Sequence, residues 1–141
     1  MKLELVEIPG LEQRFETEWR VRALVVDGKS PVLAALARWH SRNTDDYKAI
    51  MKVMRLAAQQ ERVLNPKHVK KSTNPIHGNV YEMIAYTGAA RLMFFYDDSE
   101  RALIVCTNEY EKSRGDQDAA FARCATLRNL YLKHIENDSK K

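Results

Sequence analysis

Arg91 is the residue from which the chemistry of this chain is best approached. It stands in "GAARLMFFYDD" (88–98), at the head of the run Leu92, Met93, Phe94, Phe95 and Tyr96. A guanidinium keeps its charge in a protein, and burying one unpaired is costly. A carboxylate, solvent or an anionic ligand must therefore meet it. The segment "NPKHVKKSTNPIHGN" (65–79) supplies Lys67, His68, Lys70, Lys71 and His77 and contains no acid. Tyr110, Lys112 and Arg114 follow in "NEYEKSRGD" (108–116), and Glu82 and Tyr86 precede Arg91. These residue types suit phosphodiester chemistry on RNA. Attack by a ribose 2′-hydroxyl builds negative charge on phosphorus, which Arg and Lys stabilise. It also requires groups that take and return a proton, roles open to His, Tyr, Glu or Lys. Tyr86 and Tyr110 can stack on bases.

Each of these residues also has a plainer use. Glu82 and Arg91 could form a cross-strand ion pair. The lysines at 67–71 could be a solvated loop, and Tyr110 could pack under the last helix. Trp19 and Trp39 read as core, and Cys106 and Cys124 as buried, inert thiols.

The totals bound the possibilities. The chain has 141 residues, 45% hydrophobic and 30% charged, enough for one domain with a real core. Two cysteines without CxxC spacing and four scattered histidines give no zinc pattern, and reduced thiols fit the cytoplasm. No apolar stretch is long enough for a membrane span. The start, "MKLELVEIPGLEQ", lacks the apolar block of a secretory leader. Lys and Arg exceed Asp and Glu by 23 to 19, but unevenly: cations gather at 65–79 and acids at "DDSE" (97–100).

Hydrophobic periods predict the elements that carry these residues. Alternation over 15–27 predicts a strand, followed by an Asp27-Gly28 turn. Ser30 and Pro31 open a helix through Val32, Leu33, Leu36, Trp39 and His40, ending near Arg42. Asn43 or Thr44 caps a second helix whose buried side is Ile50, Val53, Met54, Ala57 and Leu64, and which ends at Asn65-Pro66. The basic segment reads as a loop. Strands at 80–86, 90–96 and 102–107, joined by tight turns at Thr87-Gly88 and "DDSE", form a meander. An irregular "NEYEKSRGD" then leads to a helix with the stripe Ala120, Phe121, Cys124, Leu127, Tyr131 and Ile135. The expectation is one α+β domain over 1–141, ordered β-α-α-β-β-β-α. Its antiparallel sheet is covered on one face by a helical hairpin, with a C-terminal helix in addition. Residues 1–13 form an extension, with "KLELVEI" as a possible extra strand, and 136–141 a frayed tail. The uncovered face, bordered by the basic segment, would be a positive surface.

From about Glu18 to His134 the sequence resembles the RelE/HigB branch of the RelE/ParE toxin superfamily, including its phage-derived members. "GNVYEMIAYTGAARLMFFYDD" is similar to that family's central hairpin. "ALIVCTNEYEKSRGDQDAAFARCATLRNLYL" is similar to its last strand, lysine-bearing loop and closing helix. The resemblance implies a cytoplasmic type II toxin, a ribosome-dependent endoribonuclease that cuts translated mRNA without metal or cofactor. Its partners would be the ribosome, mRNA and a cognate antitoxin, of which a helix-turn-helix protein is one form. It also implies that Arg91 contacts the scissile phosphate, with Lys112, Tyr110 or His77 in proton transfer. Lys67, Lys70, Lys71, Tyr86 and Arg114 would bind RNA. Two departures stand out: Ile84 occupies a position where many members carry arginine, and the usual lysine pair is reduced to Lys112 behind Glu111. The alternatives are a non-catalytic binder of nucleic acid or protein on the same fold, and a gyrase inhibitor of the ParE type.

Overall fold

The computed structural model describes residues 1–11, 19–60, 65–86, 88–99, 102–112 and 115–139. Two strands open the chain, β1 (Leu3–Glu7) and β2 (Arg20–Val26). Helices α1 (Pro31–Arg42) and α2 (Thr44–Gln59) follow, then β3 (Val69–Lys71) and a single 3₁₀ turn at Pro75–His77. Strands β4 (Tyr81–Ile84), β5 (Ala90–Asp97) and β6 (Leu103–Glu111) lead into the long α3 (Gln117–Ser139). This is an α+β fold built on one six-stranded sheet, ordered β1-β2-β6-β5-β4-β3.

Local chemistry accounts for the helical hairpin. The Ser30 side chain accepts from Leu33 N at 3.2 Å and Pro31 begins α1. Asn43 serves both helices. Its N–H donates to the Trp39 carbonyl, closing α1, and its side chain accepts from Asp46 N, opening α2. The hairpin buries Val32, Ala35, Leu36 and Trp39 of α1 with Ile50, Val53, Met54 and Ala57 of α2. They pack on Ala23, Leu92, Phe94 and Ile104 of the sheet.

Several expectations need correction. The sheet is mixed, not antiparallel: β2 runs parallel to β6, with Arg20 opposite Leu103 and Ala23 opposite Cys106. Alternation reports which face a residue takes but carries no strand direction. The extension does add a strand, β1, antiparallel to β2. The basic loop contains β3, because Val69 is buried while Lys70 and Lys71 stay exposed. A single valine among lysines is too short a pattern to read as a strand. β6 continues to Glu111, since the polar residues of "NEYE" find partners on both faces of the sheet. Of the strand expected over 15–27, residues 15–18 lie outside the described residues, as do Leu64 and Thr87.

The largest correction concerns the face expected to be open. α3 lies across it, packing Phe121, Cys124, Leu127 and Tyr131 on Leu24, Met93, Phe95 and Val105. The fold is three layers, helices on both sides of the sheet. Among the described residues, the end of that face beyond Gln117, where α3 begins, is left open as a cleft. Cys106 and Cys124 are free and buried. Burial pushes the Cys124 thiol up to about 12 and raises Cys106 further. Among the described residues no helix is long and apolar enough to cross a membrane.

Candidate nucleic-acid interface

The uncovered end of the α3 face is a cleft of about 400 Å³, floored by β4, β5 and β6, within the size range of small-ligand sites. Strand register builds it in two rows. Ile84, Arg91 and Tyr110 stand side by side across β4, β5 and β6. One pair further in, Lys70 faces Glu82, which faces Met93. Lys112, Tyr86 and Gln117 complete the walls.

Tyr110 and Lys112 belong to this face because of one irregularity. Met93 pairs with Asn108 but Phe94 pairs with Cys106, leaving Thr107 as the extra residue of a β-bulge. Val105 faces α3, and strict alternation from it would turn Tyr110 and Lys112 toward α1. The bulge reverses the parity. Glu109 and Glu111 go to the α1 side instead, where Arg38 donates to Glu109 at 3.1 Å and Trp39 Nε1 to Glu111 at 3.2 Å. Burial raises the Glu109 carboxyl, against the pull of Arg38, which lowers it. The buried Thr107 hydroxyl at the bulge donates to Asn108 Oδ1 at 2.7 Å.

Arg91 is 7% exposed. Its Nη1 donates to the carbonyls of Ala85, Gly88 and Ala90 at 2.9–3.3 Å. No ion pair joins it to Glu82 among the described residues, because the register sets Glu82 opposite Met93 and Arg91 opposite Ile84. Nε and Nη2 make no hydrogen bond to the described residues, yet no buried side-chain nitrogen or oxygen among them lacks a partner. Those N–H groups therefore reach the cleft. The same β4–β5 turn is held from behind by Asp46, which accepts from Ala89 N at 3.1 Å and Ala90 N at 3.0 Å. Its amides are gripped by a carboxylate and its carbonyls by a guanidinium.

Glu82, 2% exposed, accepts from the Tyr110 hydroxyl and from Gln117 Nε2, both at 2.9 Å. Burial, then the charge of Glu82, holds the Tyr110 phenol well above its ordinary value, so it stays protonated. Tyr86 is 60% exposed at the rim, with Lys67 Nζ 5.2 Å from its ring centroid. An exposed aromatic with one cation over its ring and three more, Lys70, Arg91 and Lys112, lining the same cleft is the composition of a nucleic-acid contact.

Of the residues singled out in the sequence, Arg91, Tyr110, Lys112, Lys70 and Tyr86 meet in the cleft, with Lys67 at its rim. Lys71, next to Lys70 on β3, is exposed and does not line the cleft. Arg114 lies outside the described residues. His77 is elsewhere: it is buried beneath α3, with Nδ1 2.7 Å from the Ser72 hydroxyl and Nε2 3.5 Å from Asp118. It latches the basic segment to α3. His77→Ala is accordingly expected to cost about 1.5 kcal/mol and lower the melting temperature by roughly 5 °C. Tyr86 and Tyr110 should keep their NMR shifts in that variant. Gln117 escaped sequence reasoning, since a glutamine opening a helix carries no local sign of what it reaches. Among the described residues no group of three or more His, Cys, Asp or Glu is placed to hold a metal ion. No protein-family model, curated protein or solved structure matches the chain.

Proposed function

We propose that the chain is an endoribonuclease toxin that cuts mRNA on the ribosome and is paired with an antitoxin, working in the Arg91 cleft. The observation that carries this reading is a buried guanidinium, anchored through Nη1 on the β4–β5 turn, that lines one cleft with Lys70, Lys112 and Tyr86. Such a group is fixed in place before the ligand arrives, so it stabilises charge developing on phosphorus without reorganising. Lys112, which lines the same cleft, would protonate the leaving oxygen. The succession β2-α1-α2-β4-β5-β6-α3 supports the same reading, because it agrees with the expected β-α-α-β-β-β-α once β1 and β3 are set aside.

The test is mRNA cleavage in a purified translation system, with Arg91→Ala and Lys112→Ala as controls. Intact mRNA with the unaltered chain sinks the proposal. Lys70→Ala and Lys112→Ala are each expected to lower the slope of log affinity against log salt by about 0.7 for single-stranded RNA. Fluorescence anisotropy at several salt concentrations reads that slope.

One observation favours a second reading. Ile84, not a second cation, flanks Arg91 in the same row, leaving an apolar wall on one side of the phosphate position. A chain that binds RNA or ribosomes with that salt dependence and leaves the RNA intact would be a binding module on this fold.

A further inference from the structure

The buried hydrogen bond beneath the cleft assigns a direction to proton movement. Tyr110 donates its only hydroxyl hydrogen to Glu82 Oε2. Its oxygen therefore presents lone pairs, not a proton, to anything that enters beside Arg91. A carboxylate that is 2% exposed cannot touch RNA itself, but it touches the phenol that can. Gln117 Nε2 holds the other carboxylate oxygen, which fixes the orientation of Glu82. Lys70 stands opposite in register but is not ion-paired to Glu82 among the described residues, so the carboxylate is held by neutral donors.

Building on the proposed nuclease reading, we infer that Glu82 is the final proton acceptor of the reaction, acting through Tyr110. The ribose 2′-hydroxyl donates to the Tyr110 oxygen, and its proton passes there as the phenol proton passes to Glu82 Oε2. The 2′-oxygen lone pair forms the new bond to phosphorus. The bond from phosphorus to the 5′-oxygen breaks, its electron pair staying on that oxygen, which takes a proton from Lys112. The products are a 2′,3′-cyclic phosphate and a 5′-hydroxyl. Tyr110 is the residue in contact with substrate, and Glu82 is a positioning residue that also receives the proton. The raised phenol fits this part, since Tyr110 never has to exist as a free phenolate.

Glu82→Gln keeps the shape of the side chain and its contact with Gln117 but cannot take a proton. In the purified translation system, Glu82→Gln and Tyr110→Phe are each expected to slow cleavage by roughly 100-fold. The double variant should be no slower than either alone, because the two act as one unit. Because two protons move together in the relay, cleavage by the unaltered chain should slow in heavy water, and Glu82→Gln should lose most of that isotope effect. Melting curves accompany every variant, so that loss through unfolding is separated from loss through chemistry. A folded Glu82→Gln chain with wild-type rate and isotope effect overturns the relay and leaves the nuclease reading standing. Additive losses in the double variant overturn it too. Failure of the unaltered chain to cut RNA overturns both.

Discussion

Arg91→Ala is expected to abolish growth arrest on induced expression and to slow mRNA cleavage by about 100- to 1000-fold, near 3–4 kcal/mol of transition-state stabilisation. The size of the effect follows from where the guanidinium stands. It is 7% exposed, anchored through Nη1 on three carbonyls, and presents its remaining N–H groups to the cleft. The same anchoring makes the alanine variant less stable, because the Gly88 carbonyl loses its guanidinium donor while those of Ala85 and Ala90 keep only their backbone donors. Arg91→Lys separates the two roles. One ammonium keeps the charge but cannot grip the turn and face the cleft together. That variant should bind RNA with nearly the native salt slope and still cleave poorly. Cells expressing Arg91→Ala that stop growing as wild-type cells do would remove the arginine from the mechanism.

Asp46→Ala should give the largest loss of stability. Its carboxylate accepts from Ala89 N and Ala90 N and from Asn43 Nδ2, and it is itself buried. Orphaning two amides of a turn, one of them buried, costs about 3 kcal/mol, or roughly 10 °C in melting temperature for a chain of this length. Gly88→Ala should fail for the complementary reason. A Cβ at Gly88 would overlap Asp46 Oδ1 and lie 2.6 Å from its Cγ, so the carboxylate must leave the turn. Thermal unfolding followed by circular dichroism measures both. If the two variants melt with the native protein, the turn is held by something else. Because this turn also supplies the carbonyls that hold Arg91, both variants should weaken RNA binding without touching RNA.

How much was legible differs residue by residue. Ser30, Pro31 and Asn43 announced the helical hairpin, because capping is a contact between near neighbours in the chain. Arg91, Tyr86, Lys70, Lys112 and Tyr110 were legible as a set by residue type. The role of Glu82 was not. Sequence suggested a pair with Arg91, while the register sets it one pair away and Tyr110 and Gln117 claim its two oxygens. His77 looked like a candidate for chemistry, yet Ser72 and Asp118 hold it under α3. Both depend on contacts between residues distant in the chain or on packing, to which local patterns are blind.

The sequence by itself determined the three helices, the main strands and their order, and the two populations of charge, but not β3 or the full length of β6. What it determined follows from periodicity, capping and composition. Tertiary structure decided strand direction, the second helical layer and the membership of the cleft. The last turned on a single residue. Alternation along "ALIVCTNEYEK" assigns Tyr110 and Lys112 to the α1 side of the sheet, opposite Arg91. The bulge at Thr107 exchanges them with Glu109 and Glu111. A bulge is set by how two strands pair, because Thr107 is extra only relative to Met93 and Phe94 on β5. Neither strand's own sequence contains that relation.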